Sequence, residues 1–455
     1  MSGLVRKMAN KIGFDKSIAY SSGARVVQGL TGVASVFFIT SFLTGIEQGF
    51  YYTFGSILAM QVFFELGLTG IMTQYVAHEA SHLVLYEDRV YEGEEKYKSR
   101  LASLLRFCIK WYSVLSIIVF IFLLIVGWIF FSRYGDKHQE VSWKLPWVLI
   151  CMGTALKLFQ APLNSILMGL GFVKEMSKAG FYQQLILPAF TWIGLALGFK
   201  LYVVGISYLL TVIYWQIYIR KEGLSHILFN LLKIKITERV GYFKEIFPYQ
   251  WKIALSWVSG YFIFQLFNPV LFATEGAVVA GQMGMTLQAL NAIQSFSFSW
   301  LNTKIPFYSK LIALKDYLHL DVIFKKTLMQ MTSICLVALI GFFIVIVLLN
   351  VTELQFNGRV IAFRFLPYLP LLFMMIPVYL QQFVNSWATY LRCHKQEPFL
   401  IISICSGLST AVSTLVFGKM YGLYGITIGY CVLSMMHFPW SYHIYKTKKI
   451  KWHEQ

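Results

Sequence analysis

The sequence predicts an all-α polytopic membrane protein with about twelve transmembrane helices, arranged as two parallel six-helix lobes around a central cavity. The first observation is composition: 57% of the 455 residues are hydrophobic and only 13% are charged, far below the charged fraction of a soluble chain. The second is that apolar runs long enough to cross a bilayer recur along the whole chain. The third is an internal repeat, which divides these runs into two similar sets.

The apolar runs predict twelve spans joined by mostly short connections. They cover residues 18–40, 49–77, 109–131, 145–170, 181–198, 201–219, 247–272, 276–300, 328–350, 365–391, 398–418 and 423–445. With the N-terminus in the cytoplasm, and with Lys252 counted at the cytoplasmic end of the seventh span, 29 Lys and Arg residues fall on the cytoplasmic face and 7 on the opposite face. This asymmetry predicts cytoplasmic N- and C-termini and explains the net charge of +18 as a topology signal, not a nucleic-acid-binding surface. The external loops have no room for a catalytic domain, so we expect a protein that is not an enzyme.

Short motifs of the first half recur in the second half at a nearly constant offset. The pattern Gln160-x-x-x-Asn164-Ser165 returns as Gln381-x-x-x-Asn385-Ser386. Glu47 and Glu275 open the second span of each half, at a slightly larger offset. An even number of spans per half keeps both halves in the same orientation. The repeat predicts an N-terminal lobe (1–222), a basic cytoplasmic linker (223–246) and a C-terminal lobe (247–455), which rock to give alternating access.

One carboxylate lies deep in the second span. Glu65 is the only charged residue between Tyr51 and Val76, and it forms a stripe at four-residue spacing with Gln61, Thr69 and Thr73. A charged side chain at the centre of a membrane helix costs about 2.5–3.5 kcal/mol on insertion scales, so this face is expected to point away from lipid. Glu65 is interpreted as a counter-ion or as a site that couples transport to H+, Na+ or the membrane potential.

Two cations lie on similar polar faces of the first and fourth spans. Arg25 shares a face with Gln28, and Lys157 shares a face with Gln160 and Asn164. Two interpretations are open: a structural ion pair with Glu65, or direct contact with cargo in a wet cavity. Because two cations face one anion, the N-terminal lobe has a surplus positive charge, which favours an anionic cargo group such as a diphosphate.

The C-terminal half offers neutral polar groups in its spans instead of charges. Amides suit sugar recognition, although ordinary hydrogen bonding between helices is the simpler explanation for any one of them. The residues concerned are Gln265, Gln288, Asn291, Gln294, Gln382, Asn385 and Thr389. Glu47, Glu275 and Arg392 are candidate gate residues near the span ends, and for the two glutamates a helix-capping role is the alternative.

A literal H-E-x-x-H motif, His78-Glu79-Ala80-Ser81-His82, raises an alternative of another class. On a helix it places two imidazoles on one face, as in zinc proteases. It lies at the cytoplasmic end of the second span, and no third ligand stands out on another span. The six cysteines lie in or beside apolar runs without a C-x-x-C pair, which indicates buried side chains. We therefore expect no metal or other cofactor.

Two segments carry a family resemblance. Gly45–Leu68 (GIEQGFYYTFGSILAMQVFFELGL) and Tyr421–Tyr430 (YGLYGITIGY) resemble the polysaccharide-transporter branch of the MATE-like multidrug/oligosaccharidyl-lipid/polysaccharide (MOP) exporter superfamily. The resemblance implies an O-antigen-type flippase of the inner membrane of a Gram-negative bacterium. Such a protein moves an undecaprenyl-diphosphate-linked repeat unit to the outer leaflet for O-antigen- or capsule-type biosynthesis. The cationic cavity residues of that family would correspond to Arg25 and Lys157, by their place in the first and fourth spans.

Two rival functions share the predicted span number. An ion-coupled multidrug exporter of the same superfamily is the nearer one, although a positive lobe would repel cationic drugs. A glycan polymerase or ligase is the other, and it resembles this chain less because such enzymes have a large external loop. The flippase interpretation implies membrane lipids and a polyprenyl-diphosphate-linked glycan as partners, together with polysaccharide polymerase and assembly proteins, and a monomeric state.

Overall fold

The computed structural model describes residues 16–86, 89–136, 140–356, 359–394 and 397–453. Sixteen helices and two short antiparallel hairpins cover most of them. The helices are α1 (Lys16–Phe42), α2 (Gly45–Leu58), α3 (Val62–Glu65), α4 (Leu68–Ala80), α5 (Glu95–Tyr134), α6 (Lys144–Gly169), α7 (Val173–Ala196), α8 (Tyr202–Lys221), α9 (Leu224–Lys233), α10 (Phe247–Phe264), α11 (Phe267–Thr274), α12 (Ala277–Asn302), α13 (Ile305–Ala313), α14 (Tyr317–Val351), α15 (Tyr368–Arg392) and α16 (Leu400–His453). The strands are β1 (Leu83–Leu85) paired with β2 (Tyr91–Gly93), and β3 (Gln355–Phe356) paired with β4 (Arg359–Val360).

Each of the twelve predicted spans falls on helical segments of this structure. Within the described residues, seven helices are long and apolar enough to cross a membrane, and the bent pair Gly45–Glu65 with Leu68–Ala80 makes up to eight. One of the seven, α16, contains both the eleventh and the twelfth predicted spans. The prediction of a polytopic all-α membrane protein is confirmed.

The backbone leaves the helical conformation at two places along these spans, within the second span and between the eleventh and twelfth. The second span is interrupted, because Leu66 and Gly67 both adopt the left-handed conformation (φ 52° and 68°) and the two parts are bent by 45°. The second predicted span is therefore a bent pair of helices, not a single straight one. The eleventh and twelfth spans, both in α16, are two helices that fold back on each other at the non-helical Gly422 (φ 55°), so a Cβ on Gly425 would lie 2.2 Å from the carbonyl oxygen of Phe417. A positive φ strains residues with a Cβ, which explains glycine at two of these three positions.

The described chain forms two compact units. The first comprises the described residues of Met1–Val27, Met60–Phe131 and Ser142–Trp257, and the second comprises those of Gln28–Ala59, Ser132–Val141 and Val258–Gln455. The division into lobes 1–222 and 247–455 stays a prediction. The two units differ in what they bury: the second has a large aromatic cluster on α14, α15 and α16, including Phe324, Trp387 and Tyr445.

Helices α2 and α12, the second spans of the two repeats, pack closely within the second unit. A Cβ on Gly49 would lie 1.9 Å from the carbonyl oxygen of Ala277, and a Cβ on Gly281 would lie 2.9 Å from the backbone nitrogen of Gly49. The sequence offset between Gly49 and Ala277 equals the one that separates Glu47 from Glu275 in the repeat. Equivalent positions of the two repeats therefore meet, as expected where two helices cross at a twofold axis relating parallel repeats.

In the first unit, α6 packs between α4 and α8 through small residues. A Cβ on Gly153 would lie 2.9 Å from Cβ of Tyr208 on α8, and a Cβ on Gly169 would lie 2.7 Å from the carbonyl oxygen of Thr73 on α4. Close backbone approach through small residues is the usual way in which membrane helices associate. It fixes the orientation of α6 and hence the direction of Lys157, on the same helix.

Candidate functional site

A neutral polar cavity of about 410 Å3 lies inside the second unit. It is built by α1, α2 and α12 together with the α10–α11 junction, and none of its lining residues carries a formal charge. The polar lining residues are Gln28, Tyr52, Ser56, Gln265, Asn268, Gln288, Asn291 and Ser295, and four glycines (Gly29, Gly32, Gly55 and Gly284) complete much of the remaining wall. Gln28, Gln265, Gln288 and Asn291 are amides that the sequence singled out, so the structure brings residues of both predicted halves to one cavity.

Gln288 braces one wall of this neutral cavity. Its Nε2 donates to the carbonyl oxygen of Gly32 on α1 at 2.9 Å, and its Oε1 accepts from the Tyr52 hydroxyl on α2 at 2.7 Å. Tyr52 in turn lies directly over Gly284, where a Cβ would come within 2.3 Å of the Tyr52 ring. The Gln288 amide therefore joins α1, α2 and α12.

The lining of the cavity contains an incompletely paired amide, Asn268. Asn268 is 6% exposed, and its Nδ2 donates to Ser56 Oγ at 3.1 Å. Within the described part of the chain, no donor reaches its buried Oδ1. Asn268 follows the interruption between α10 and α11, where Gln265 also lies. Buried polar atoms in native proteins are nearly always paired, so a buried carbonyl oxygen in a cavity wall points to a bound partner.

Glu65 lies at the interruption of the second span. It is the last residue of α3, directly before the two left-handed residues, and its side chain is half-buried. Its Oε1 accepts a hydrogen bond from the Thr69 hydroxyl at 2.7 Å, which preserves one step of the predicted stripe across the break. Gln61, one step earlier, lies in a 3-10 turn and is also partly buried. Broken helices at mid-membrane depth are where transporters hold substrates and coupling ions.

Lys157 has an exposed side chain on the side of α6 that faces α8. Its ammonium lies 5.0 Å from the centroid of the Tyr208 ring, a cation–π contact worth about 0.5–1 kcal/mol at an exposed site. Among the described residues it forms no ion pair, so Lys157 does not make the ion pair with Glu65 that was one of the two open interpretations. The side chain of Arg25 lies outside the described residues. The positive charge of Lys157 is therefore not neutralised by Glu65.

The other predicted site residues of α6 and α15 lie away from the neutral cavity, and most of them contact neighbouring helices or their own helix. Gln160 is buried and donates to the carbonyl oxygen of Val212 at 3.1 Å, while Asn164 Nδ2 lies 3.9 Å from Met168 Sδ. Gln382 is fully buried and donates to the carbonyl oxygen of Gln294 at 3.3 Å. Asn385 is partly buried. None of these four predicted site residues lines the neutral cavity.

Two of the three candidate gate residues, Glu47 and Arg392, make local contacts, and Glu275 makes a long-range one. Glu47 forms a capping box with Thr44, with hydrogen bonds of 2.8 and 3.1 Å. Glu275 ends α11, and its Oε1 accepts from the backbone nitrogen of Leu423 at 2.7 Å, directly after the Gly422 bend. Arg392 forms a two-contact ion pair with Glu397 at 2.6 and 2.9 Å. These contacts favour the capping interpretation of Glu47. The side chain of Glu275 bonds to the helical segment after Gly422 and not to α12, the helix that it precedes.

The H-E-x-x-H segment is engaged in other contacts. Glu79 is 3% exposed and pairs with Arg100 at 3.0 Å, and His82 stacks on Tyr97 with ring centroids 4.0 Å apart. His78 and His82 lie on the same face, with ring centroids 5.9 Å apart. In the part of the chain that the structure describes, no group of three His, Cys, Asp or Glu side chains could hold a metal ion. The carboxylate that a zinc protease would use as its base is therefore engaged in an ion pair with Arg100.

Solved structures provide the comparison for this fold. No family model and no curated protein sequence matches the chain. A multidrug resistance MATE family transporter of the MOP superfamily in an inward-facing conformation has a TM-score of 0.66 at 13% identity over 96% of each chain. An outward-facing structure of such a transporter has a TM-score of 0.54 at 14% identity over 96% of each chain. A MOP superfamily transporter from Pyrococcus furiosus has a TM-score of 0.52 at 14% identity over 95% of each chain. The chain therefore has the MATE fold, as the sequence predicted.

Sequence patterns alone missed four of the polar residues that line the neutral cavity. Tyr52 is one of many aromatics in a membrane span, Ser56 and Ser295 are small residues, and Asn268 lies in a mostly apolar segment. A search for intramembrane amides beside a helix interruption would have found Asn268, because it closely follows Gln265 in the sequence. The pairing of Tyr52 with Gln288 depends on the crossing of α2 and α12, which no local pattern in the sequence reveals.

Proposed function

We propose that this protein is a flippase that moves a polyprenyl-diphosphate-linked oligosaccharide across a bacterial inner membrane by alternating access, for cell-surface polysaccharide biosynthesis. The termini lie in the cytoplasm, and the cargo passes to polymerase and assembly proteins on the outer side. The MATE fold supports transport in general. The choice of cargo rests on the charge of this chain's own residues.

The observation that carries the proposal is the unneutralised ammonium of Lys157 within a predicted span. An unpaired cation at this depth is unfavourable unless water or an anionic ligand stabilises it. Its contact with the Tyr208 ring leaves the charge intact, and Glu65 bonds to Thr69 instead. A diphosphate is an anionic partner that an ammonium binds through charge-assisted hydrogen bonds. Arg25 is proposed as the second cation.

A solved transporter of this fold is distinguished by the polarity of its binding pocket. The Pyrococcus furiosus transporter is described as having a binding pocket of reverse polarity that suggests a different function. In this chain, the neutral cavity contains only amides, hydroxyls, apolar groups and backbone. A cationic drug would find no carboxylate there, whereas a glycan would find many hydrogen-bonding partners.

Deletion in the native host tests this proposal. Loss of the protein should cause a lipid-linked glycan to accumulate with its sugar on the cytoplasmic side, and the wild-type chain should restore export. Lys157→Ala should restore less than about a tenth of export at equal membrane levels, because one charge-assisted contact is worth about 1.5–3 kcal/mol. Lys419→Ala, an exposed lysine of α16, is the matched control and should restore export fully. Full export by Lys157→Ala would contradict the proposal.

A multidrug exporter is the second candidate, because Glu65 is an acid at a helix interruption and no cation of the described chain forms an ion pair with it. Such a residue could hold a coupling ion or a cationic substrate. Extrusion of a cationic dye that is abolished by Glu65→Gln and unaffected by Lys157→Ala would favour this candidate. The flippase proposal instead predicts no dye extrusion above the deletion strain. Under the flippase proposal, Glu65 serves as a coupling site for H+ or Na+.

A further inference from the structure

The neutral cavity specifies the cargo more narrowly than charge does. We propose that it binds an uncharged sugar ring of the cargo, with the amides of Gln28, Asn268 and Asn291 forming hydrogen bonds to its hydroxyl or acetamido groups. This inference rests on the proposed function, because the sugar is part of the lipid-linked glycan. It adds a residue outside the predicted site and a restriction on the sugars that fit.

Asn268 provides the main argument. Its side chain is 6% exposed, and the contact of its Nδ2 with Ser56 Oγ fixes the amide against α2. The other amide atom, Oδ1, receives no donor from the described protein residues and is shielded from solvent, so a ligand hydroxyl reaches it only when the cavity lining shifts. A buried acceptor without a donor is unfavourable, and a ligand that supplies the donor gains the whole interaction. The partner must therefore carry an O–H or N–H group.

Other lining residues provide further hydrogen-bonding partners for a sugar. Gln28 on α1 and Asn291 on α12 line it with exposed amides, each of which offers donors and an acceptor. Sugars present neighbouring hydroxyls that donate and accept in the same way. Tyr52 and Phe264 add aromatic surface, against which the apolar face of a sugar ring can pack. The Gln288 contacts to Gly32 and Tyr52 hold this arrangement in place before a ligand binds.

Charge and size restrict the ligand. No lining residue is charged, so a uronic acid would bury its carboxylate without a cation, which is unfavourable. The volume of about 410 Å3 lies toward the low end of small-molecule sites, which suits about one or two sugar rings rather than a long glycan. The sugar expected here is a neutral hexose or N-acetylhexosamine.

Binding of simple glycosides tests this inference directly. The full chain in lipid vesicles is titrated with methyl α-glucoside, methyl N-acetyl-α-glucosaminide and methyl α-glucuronide, with saturation-transfer NMR as the readout. At least one neutral glycoside should bind saturably, and the glucuronide should not. Asn268→Ala should weaken binding about three- to tenfold, the effect of one neutral hydrogen bond. Asn350→Ala, an amide of α14 outside the cavity, is the control and should leave binding unchanged.

A second variant guards against misfolding of Asn268→Ala. Asn291→Ala changes an exposed side chain of the same cavity and should weaken binding to a similar extent. Absence of neutral-glycoside binding, equal binding of the glucuronide, or unchanged affinity in both variants would overturn the inference. Lys157→Ala distinguishes the sugar-binding inference from the flippase proposal. Lys157 does not line the cavity, so this substitution should leave glycoside binding intact. Normal glycan export by Lys157→Ala would count against the flippase alone.

Discussion

The second spans of the two repeats differ in a way that the repeat itself does not predict. In the N-terminal half, the span breaks at Leu66 and Gly67 and carries Glu65 at the break. In the C-terminal half, α12 runs unbroken over 26 residues and carries Gln288 and Asn291, both uncharged. The equivalent span therefore holds a charge beside an irregular backbone in one half and neutral amides on a regular helix in the other.

This difference teaches how a duplicated chain can divide the recognition of one cargo. A charged group inside a membrane protein needs water, an ion or a polar backbone, and an interrupted helix supplies free backbone groups. Neutral amides need only hydrogen bonds, and a regular helix can present them at fixed spacing. In the proposal, Lys157 in the N-terminal half serves the diphosphate, and the neutral cavity, to which α12 contributes Gln288 and Asn291, serves the sugar.

The largest expected effect is at the crossing of the two second spans. Gly49→Ala places a Cβ 1.9 Å from the carbonyl oxygen of Ala277, so α2 and α12 must separate. We expect the free energy of unfolding to fall by about 3 kcal/mol, at the upper end of the usual cost of overpacking. Denaturation of the purified protein in mixed micelles measures this loss.

Gly55→Ala is the matched control for the crossing, because a Cβ there meets no atom within 4 Å. Alanine is the better helix former, so its free energy of unfolding should be unchanged or slightly higher. Equal stability of the Gly49 and Gly55 variants would show that α2 and α12 do not meet at equivalent positions.

A smaller effect is expected at the break in the second span. Gly67→Ala puts a Cβ into the left-handed region (φ 68°) and 2.7 Å from Ile253 Cγ2. The strain should lower the free energy of unfolding by about 1–2 kcal/mol. Gly70→Ala, a little later in α4 and without a close neighbour, should cost nothing. If both variants were equally stable, Leu66 and Gly67 would not form a fixed break.

Much of the fold could be predicted from the sequence, because hydropathy and charge asymmetry depend only on the order of residues. The bend at Gly67 was missed, since the apolar pattern continues through it and Leu66 gives no warning of a positive φ. Glu65 and Lys157 were found by their charge alone. Whether they pair depends on the packing of α6 through Gly153 and Gly169, which a periodic pattern does not contain.

The smallest expected effect concerns the segment that leads into the C-terminal half. Glu245 accepts from Arg100 at 2.7 Å and from the backbone nitrogen of Gly241 at 2.8 Å. Burial raises the pKa of Glu245, but the Gly241 N–H and Arg100 outweigh it, so the pKa lies below its usual value. A carboxyl with a lowered folded-state pKa adds stability above its unfolded pKa and loses it as pH falls through the folded pKa.

Glu245→Gln should therefore reduce stability at neutral pH and flatten its loss toward acidic pH. Thermal unfolding across a pH series measures the slope, and Glu353→Gln, an exposed carboxylate of the loop after α14, is the control with a wild-type slope. An unchanged pH slope in Glu245→Gln would show that the Arg100 contact does not stabilise the start of α10.

The central claim is that Lys157 holds a phosphate-bearing lipid headgroup, and flipping in vesicles tests it most directly. The purified full chain is reconstituted with a fluorescent polyprenyl-diphosphate-linked N-acetylglucosamine, and arrival in the outer leaflet is read by chemical quenching. The wild type should flip this lipid, Lys157→Ala should slow flipping at least about tenfold, and Lys419→Ala should behave as wild type. Equal flipping by Lys157→Ala and wild type, or no flipping by wild type together with extrusion of a cationic dye, would contradict the account.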